Sequence, residues 1–446
     1  MSVYILFSTS WSAQNGGINA INYDLASALN ANAQEIFAIV SDATDSDISD
    51  AARLGAQLRV ASSDYSNLHN WLPALLEDLR PSLNGECLWI GHDTITGGAA
   101  LLARNIVGGK FVLFHHMDYA NYYHLKKKNG EEKISSQKSL LKQADVVFGV
   151  GPRLFANAKR LRLSAKQTYL FEPGRPSFAI AASKEFDLRI AICGRLSASE
   201  DPVKNLSASI RAAVSSINNE GNRGALTLIG AEYGSARNII GKNLPAIAVN
   251  EISYIGNREN YFSELIDNNI VMMPSVKEGF GLVGWEALCL GIPLVLSRSC
   301  GLYEWLKANN LSEYVVSVEM TGIAPFDEMA LKGALSALIG NYKDHKSRAL
   351  ELANSSKIKT WNETAIHFAS LLSSEVPKPR EEKSDPIPVK KADKPKLGFI
   401  DKDNPDGSFE RFEDLLSISC KKRQLVIPID ESTDYSKGKK VKYEFW

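Results

Sequence analysis

The stretch Glu278-Gly-Phe-Gly-Leu-Val-Gly-Trp-Glu286, running straight into Ala-Leu-Cys-Leu-Gly-Ile-Pro293, sets two carboxylates eight positions apart around a glycine-rich turn and the start of a helix. Gly279, Gly281 and Gly284 let the backbone come close to a ligand. The first N–H groups of the helix have no partner inside it and suit an anion. Glu286 stands too far along the helix to cap its end, so its carboxylate is expected to be available to a diol. A helix end for a diphosphate, one carboxylate for a ribose and the other for a sugar make the chemistry of a nucleotide-sugar site. The competing reading is an ordinary buried helix carrying two incidental glutamates.

Outward from this stretch, short apolar runs alternate with helical patterns over nearly 375 residues, the mark of parallel-sheet α/β architecture. The first set of strand candidates is Val3–Phe7, Glu35–Val40, Cys87–Gly91, Phe111–His115, Val146–Val150 and Thr168–Phe171. Ile18, Ile21, Leu25 and Leu29 recur at helical spacing and predict an amphipathic helix over Gly17–Asn30. The second set is Leu188–Cys193, Leu226–Ile229, Ile252–Ile255, Ile270–Met273, Pro293–Leu296 and Val315–Val318. Two sets argue for two doubly wound domains, with the site in the cleft between them, beyond the carboxyl ends of the strands. The expected division is 1–180, 181–358, a helix at 359–374, a linker at 375–396 and an extension at 397–446. The join falls near Pro173–Asp187, where Pro173, Gly174 and Pro176 interrupt the pattern.

Lys+Arg and Asp+Glu both number 51, so the chain lacks the excess of basic residues that non-specific nucleic-acid binding requires. Cys87, Cys193, Cys289, Cys300 and Cys420 are odd in number and show no CxxC spacing. They read as small buried hydrophobes in a reducing compartment rather than a disulfide frame or zinc site. The N-terminal MSVYILFSTSWS has no basic n-region, and no run approaches the roughly 18 apolar residues of a membrane span. A soluble, cytoplasmic protein is expected, with peripheral membrane contact and oligomeric state left open.

The segment PSVKEGFGLVGWEALCLGIPLVLS resembles the Glu-x7-Glu signature of glycosyltransferase family 4, the large group of retaining glycosyltransferases with the two-domain GT-B fold. The resemblance covers roughly residues 1–375. It implies transfer of a sugar from a UDP- or GDP-sugar to a hydroxyl acceptor (a glycan, a lipid-linked or a small molecule), with no metal and no cofactor beyond this co-substrate. Glu278, with the backbone of Gly279, Phe280, Gly281 and Leu282, would then hold the sugar, and Glu286 the ribose. Arg195, in Ile190-Ala-Ile-Cys-Gly-Arg-Leu196, and Lys204, nine residues on, occupy the places of the family's diphosphate-binding pair. Here Ser197–Val203 widens the loop between them. Two cations and a helix N-terminus can neutralise a departing diphosphate without a metal.

In the first domain, Gly16-Gly17 opens the Ile18 helix and suits close approach by phosphate or sugar oxygens. Phe111-Val-Leu-Phe-His-His116-Met-Asp118 ends a buried strand in two histidines. Family members place a histidine there against the donor sugar's C6 hydroxyl. Strand alternation sends His115 and His116 to opposite sides, with His116 preferred. Asp118 either binds acceptor or caps a turn. Gly230, in Gly-Ala-Glu-Tyr-Gly234, resembles the family's turn near the nucleotide, and Tyr254, in Ser-Tyr-Ile-Gly256, the segment that reads the base. Cys300-Gly301-Leu-Tyr-Glu304 resembles the family's glycine-then-glutamate, with Cys300 in place of a glycine; Glu304 is otherwise a first-turn helix acid.

Two motifs are decoys. Asp45-Ser-Asp47 imitates a metal-binding Asp-x-Asp but lies in an acidic run, Ser41–Asp50, that reads as a solvated loop or helix start. Asp401–Gly407 imitates a calcium loop out of register. The tail is open. Glu375–Lys396 carries five of the chain's 17 prolines among alternating charges and reads as an extended linker. Leu397–Trp446 lies outside the resemblance and would dock acceptor, oligomerise or regulate. It also motivates the competing reading of a non-catalytic GT-B protein that binds a nucleotide sugar and acts through its tail.

Overall fold

The computed structural model describes residues 2–11, 16–32, 34–61, 65, 67–162, 167–176, 178, 188–219, 224–241, 248–252 and 258–373, and the backbone of Ser419–Lys421 and Gln424–Val426. The first sheet is built from β1 (Ser2–Ser10), β2 (Glu35–Asp42), β3 (Gln57–Val60), β4 (Glu86–His92), β5 (Lys110–His115), β6 (Val146–Val150) and β7 (Gln167–Phe171). Its strand order is β3-β2-β1-β4-β5-β6-β7. Between the strands run α1 (Gly17–Ala31), α2 (Asp45–Arg53), α3 (Leu68–Leu79), α4 (Asp93–Val107), α5 (Tyr119–Leu125), α6 (Glu131–Gln143) and α7 (Gly151–Arg162). The second sheet joins β8 (Leu188–Cys193), β9 (Gly224–Ile229), β10 (Ala248–Ile252), β11 (Ile270–Met273), β12 (Leu294–Ser297) and β13 (Val316–Val318) in the order β10-β9-β8-β11-β12-β13. Its helices are α8 (Asp201–Lys204), α9 (Leu206–Asn219), α10 (Ser235–Ile240), α11 (Arg258–Ile266), α12 (Leu282–Cys289), α13 (Gly301–Ala308), α14 (Ala324–Gly340), α15 (Tyr342–Ala353) and α16 (Trp361–Ser373). The backbone at Ser419–Lys421 and Gln424–Val426 forms a short antiparallel pair, β14 and β15.

The central strands read as near-continuous apolar runs because helices cover both faces of a parallel sheet. Val3–Phe7 of β1 is buried throughout, paired in parallel with β2 on one side and β4 on the other. The four-residue β3 escapes sequence reading because Gln57-Leu-Arg-Val60 is a largely exposed edge strand with no apolar run. The strand expected at 252–255 lies at Ala248–Ile252 instead. Within the acidic run after β2, Thr44 accepts from the Asp47 amide (3.2 Å) while Asp47 Oδ2 accepts from the Thr44 amide (2.8 Å), a reciprocal cap that starts α2 at Asp45. Tyr254 and its segment 253–256, the linker 375–396 and the calcium-like 401–407 lie outside the described residues.

In both sheets the strand order reverses beside the first strand, between β1 and β4 and between β8 and β11. Crevices open at the carboxyl ends of strands at such switch points. The lobes are joined by two adjacent passages of chain. Glu172 accepts from Trp305 Nε1 (2.6 Å) and from Lys359 Nζ (2.7 Å), and Trp285 Nε1 donates to the Gly174 carbonyl (3.2 Å). A side chain at Gly174 would strike the Trp361 backbone, so the two passages touch there. From this crossing α16 returns to the first sheet, where Phe368 lies 4.7 Å from Phe148 and 5.7 Å from Phe114, ring centre to ring centre.

Candidate active site

β8 ends at Cys193, and Gly194 (φ +134°) turns the chain into the exposed Arg195. Gly230 (φ +91°) packs on the Gly194 carbonyl so closely that any Cβ would collide with it. The widened loop is ordered: a 3₁₀ turn at Ala198–Glu200 leads into the single turn of α8, which ends at Lys204. Asn205, left-handed at φ 55°, then redirects the chain into α9. Lys204 Nζ pairs with Glu278 Oε2, which also accepts from Ser275 Oγ (3.3 Å), while the Gly279 amide reaches Oε1 (3.3 Å). Burial pushes the Glu278 carboxyl upward, but Lys204, the Gly279 amide and the Arg195 charge bring it below its ordinary value. Glu278 is therefore a carboxylate at neutral pH, ready to accept from hydroxyls.

The glycines around it mark close approaches across the cleft. A Cβ on Gly279 would sit 2.6 Å from the His116 carbonyl oxygen of the other lobe. Gly17, the first residue of α1, lies so near Leu282, the first residue of α12, that a Cβ would come within 2.6 Å of the Leu282 side chain. The amino ends of α1 and α12 thus meet, bringing two positive helix poles to one place. Gly16 (φ +105°) and Gly281 (φ +102°) are the residues from which these helices start. Phe280 is buried, its ring pressed on Gly151 of the first lobe and 5.8 Å from Trp285. Cys300, expected to stand in a glycine's place, is fully buried and opens no space. Its thiol donates to the Phe280 carbonyl (2.8 Å) and helps hold the turn.

Glu286 differs from expectation: its carboxylate is already engaged on both oxygens. Oε1 accepts from Arg258 Nη1 (2.7 Å) and Oε2 from the Tyr261 hydroxyl (2.9 Å), and the side chain is buried. Arg258 Nη2 reaches across the cleft to Asp24 Oδ2 on α1 (2.6 Å). Glu304 is engaged through one oxygen, Oε1. It accepts from Arg153 Nε (3.0 Å) and Nη2 (2.7 Å), and the same guanidinium donates to the carbonyls of Glu278 (3.2 Å) and Ser299. A third crossing lies in the widened loop, where Glu200 accepts from Tyr122 of α5 (2.9 Å) and from Lys126, just past its end (2.8 Å).

In the first lobe the paired histidines separate as alternation requires. His115 points into the core, where Nδ1 meets Asp93 Oδ1 (2.9 Å) and Nε2 meets Asn157 Oδ1 (2.9 Å). Asp93, left-handed at φ 41°, also takes the His116 amide (2.7 Å), the Met117 amide (3.0 Å) and Gln137 Nε2 (3.0 Å), fixing the strand end that presents His116. Burial lowers the His115 pKa, but Asp93 and Asn157 outweigh it and hold it above 6.5. Burial raises that of Asp93, but His115 and the backbone donors hold it below 3.8. His115 contributes most below pH 6.5 and loses its contribution as pH rises through its folded value. Asp93 contributes above pH 3.8 and loses it as pH falls through its own. Asp93→Asn should cost about 3–5 kcal/mol of unfolding free energy near pH 5–6, and less at alkaline pH. Denaturant titrations at several pH values check this; a pH-independent cost would count against a charged pair.

Asp118 caps α5, with Oδ1 accepting from the Asn121 amide (3.2 Å) and Oδ2 from Asn157 (2.8 Å). The decoy Asp45 and Asp47 sit in the first turn of α2, and among the described residues no cluster of three or more metal-ligating side chains forms. Nor is any helix among them long and apolar enough to cross a membrane.

Arg195, Lys204, Glu278 and the turn through Leu282 are thus gathered, and His116, the residue after β5, brings its backbone carbonyl against Gly279. Glu286 lies beside the end of β8, where its charge raises the Cys193 pKa. Sequence reading missed Asp24, Arg258, Arg153, Glu200 and His92-Asp93. The last pair had a signal: it is a polar step ending the apolar run Cys87–Gly91 at a switch point.

A family model described as GT4-conflict, Family 4 Glycosyltransferase in conflict systems, matches residues 5–368. No curated protein sequence matches the chain. Among solved structures, the sucrose-phosphate synthase of Thermosynechococcus elongatus is 17% identical, with a TM-score of 0.64 over 83% of this chain and 98% of that one. Anabaena HepE, solved with UDP and glucose, is 14% identical, with a TM-score of 0.61 over 84% and 99%. WaaG, a glycosyltransferase of lipopolysaccharide biosynthesis, is 12% identical, with a TM-score of 0.58 over 84% and 100%. At these identities the likeness is one of fold, the two-domain GT-B architecture.

Proposed function

Because this chain belongs to the family 4 glycosyltransferases of conflict systems and transfers sugar from a nucleotide sugar, we propose that it does so with retention at the anomeric carbon, without a metal, from a UDP- or GDP-sugar to a hydroxyl acceptor. The observation that carries this reading is the meeting of Arg195, Lys204 and the amino ends of α1 and α12 around the ionised Glu278. Fixed positive groups aimed at a leaving diphosphate stabilise its developing charge without reorganising during the reaction. Lys204 would pass from Glu278 to the diphosphate as donor enters, freeing the carboxylate for sugar hydroxyls.

The ribose would use the remaining lone pairs of Glu286, whose carboxylate Arg258 and Tyr261 hold in place. His116 would approach the sugar from the other lobe. The anomeric carbon–phosphate bond breaks, the acceptor oxygen bonds to the same face, and its proton goes to the departing diphosphate. HepE was solved with UDP and glucose, which supports a uridine donor as the first to try.

The test is a panel of sugar nucleotides with and without candidate hydroxyl acceptors. Nucleoside-diphosphate release should depend on acceptor, and NMR should find the product's anomeric configuration unchanged from the donor's. An inverted product would end the retaining assignment. Binding of a sugar nucleotide with no release under any acceptor would favour a non-catalytic role.

A further inference from the structure

Four side chains, Ser8, Asn22, His92 and His116, form an unbroken hydrogen-bonded row through the carboxyl ends of β1 and β4. Ser8 Oγ donates to the Ser10 carbonyl (3.1 Å). With its proton committed there, Ser8 Oγ is the acceptor for Asn22 Nδ2 (3.0 Å), which turns Asn22 Oδ1 toward His92 Nε2 (3.0 Å). An amide oxygen only accepts, so His92 carries its proton on Nε2. Burial lowers the His92 pKa to about 3, so the ring is neutral and its Nδ1 is a lone pair. The 2.8 Å contact between His92 Nδ1 and His116 Nε2 is therefore a bond that His116 donates. Burial and the neighbouring His92 also bring His116 to about 3, so its Nδ1 has no proton and is an acceptor only. The order of protons along the row follows from one backbone carbonyl at its far end.

We propose that Ser8, Asn22 and His92 are positioning residues that fix this proton order, so that His116 meets a donor-sugar hydroxyl as a hydrogen-bond acceptor. The inference rests on His116 being the donor-facing histidine. It gives the site a specificity: a hexose whose C6 carries a hydroxyl has a proton to give, whereas a uronic acid presents only lone pairs to a lone pair. Groups that orient a histidine through its second nitrogen are typically worth about 10–100-fold in function.

The experiment uses the full chain labelled with 15N-histidine. Long-range proton–nitrogen spectra from pH 5 to 8 should show His92 and His116 both neutral and both protonated on Nε2, with His92→Asn and His116→Asn assigning the signals. Asn22→Asp should reverse the row. The carboxylate so introduced would hold His92 as an imidazolium, whose Nδ1–H then donates to His116 Nε2 and drives the His116 proton to Nδ1. A wild-type His116 protonated on Nδ1, or titrating near pH 6.5, overturns the proposal.

In turnover assays with hexosyl donors, His92→Phe should lose about 10–100-fold in kcat/KM, while His92→Asn, whose amide oxygen can replace Nδ1 as acceptor, recovers most of it. Nucleoside-diphosphate affinity should stay unchanged in both. Equal losses in the two variants at unchanged nucleotide affinity also overturn it. Failure of the wild type to bind any nucleoside diphosphate would instead sink the donor-site reading, and the spectra would still decide the row.

Discussion

Arg195→Ala should lower kcat for sugar transfer by about 10²–10³-fold, the loss that follows removal of one preorganised charge-stabilising group from an active site. Arg195 is exposed, on the turn after β8, so truncating it removes little packing and should leave the melting temperature near that of the wild type. Its field is felt at Glu278 and Glu200, which places the guanidinium at the same end of the cleft as the Lys204–Glu278 pair. Lys204→Met should behave differently. It removes a cation and leaves Glu278 without its main partner, so donor KM should rise along with the fall in kcat. The split between a mainly kcat defect in one variant and a mixed defect in the other is read from steady-state nucleoside-diphosphate release. Near-normal turnover by Arg195→Ala would remove it from the diphosphate site.

How far the sequence carries depends on the range of the interaction. Both sheets were legible because a strand covered on two faces must be apolar along its length, as Phe111–Phe114 and Ile190–Ile192 are. The edge strand β3, half in water, carries no such mark. The turn from Glu278 to Leu282 was legible because its glycines are demanded locally: a Cβ at Gly281 would strike Met273 and Cys300. The separation of His115 from His116 followed from the two-residue period of a strand, although which one faced the core depended on Asp93, 22 positions earlier. What could not be read was partnership across the cleft. Arg258 and Asp24 are 234 positions apart, and Arg153 and Glu304 are 151 apart; no periodicity announces either pair. The expectation that Glu286 stood free failed at shorter range, because Arg258 and Tyr261 stand 28 and 25 positions before it on a separate helix. The motif fixed its place on α12, while its partners came from α11, and one of them, Arg258, carries the link on to Asp24 of the other lobe.

Those neighbours give the second large effect. Arg258 lies buried between two carboxylates, Glu286 of its own lobe and Asp24 of the other, with its guanidinium 4.5 Å over the Phe262 ring. Burial raises the Asp24 carboxyl and Glu286 adds to the rise, while Arg258 opposes it. The balance is about 6, so Asp24 is mostly ionised at pH 7. Arg258→Ala would leave two acidic groups enclosed with no cation and should cost about 3–5 kcal/mol of unfolding free energy. Arg258→Lys keeps the charge but not the fork that reaches both partners, so it should fall between Ala and wild type. Asp24→Asn should cost least. Its amide oxygen still accepts from Nη2, and it removes an ionisation that opposes folding above pH 6 and is relieved as pH falls toward 3.8.

Because the bridge crosses the cleft, the three variants should also open the lobes in the order Ala, Lys, Asn, seen as a rise in radius of gyration by small-angle scattering of the free protein. Denaturant unfolding at pH 7 checks the energetic order. An Arg258→Ala protein as stable and as compact as the wild type would mean that the bridge holds neither Glu286 nor the lobes.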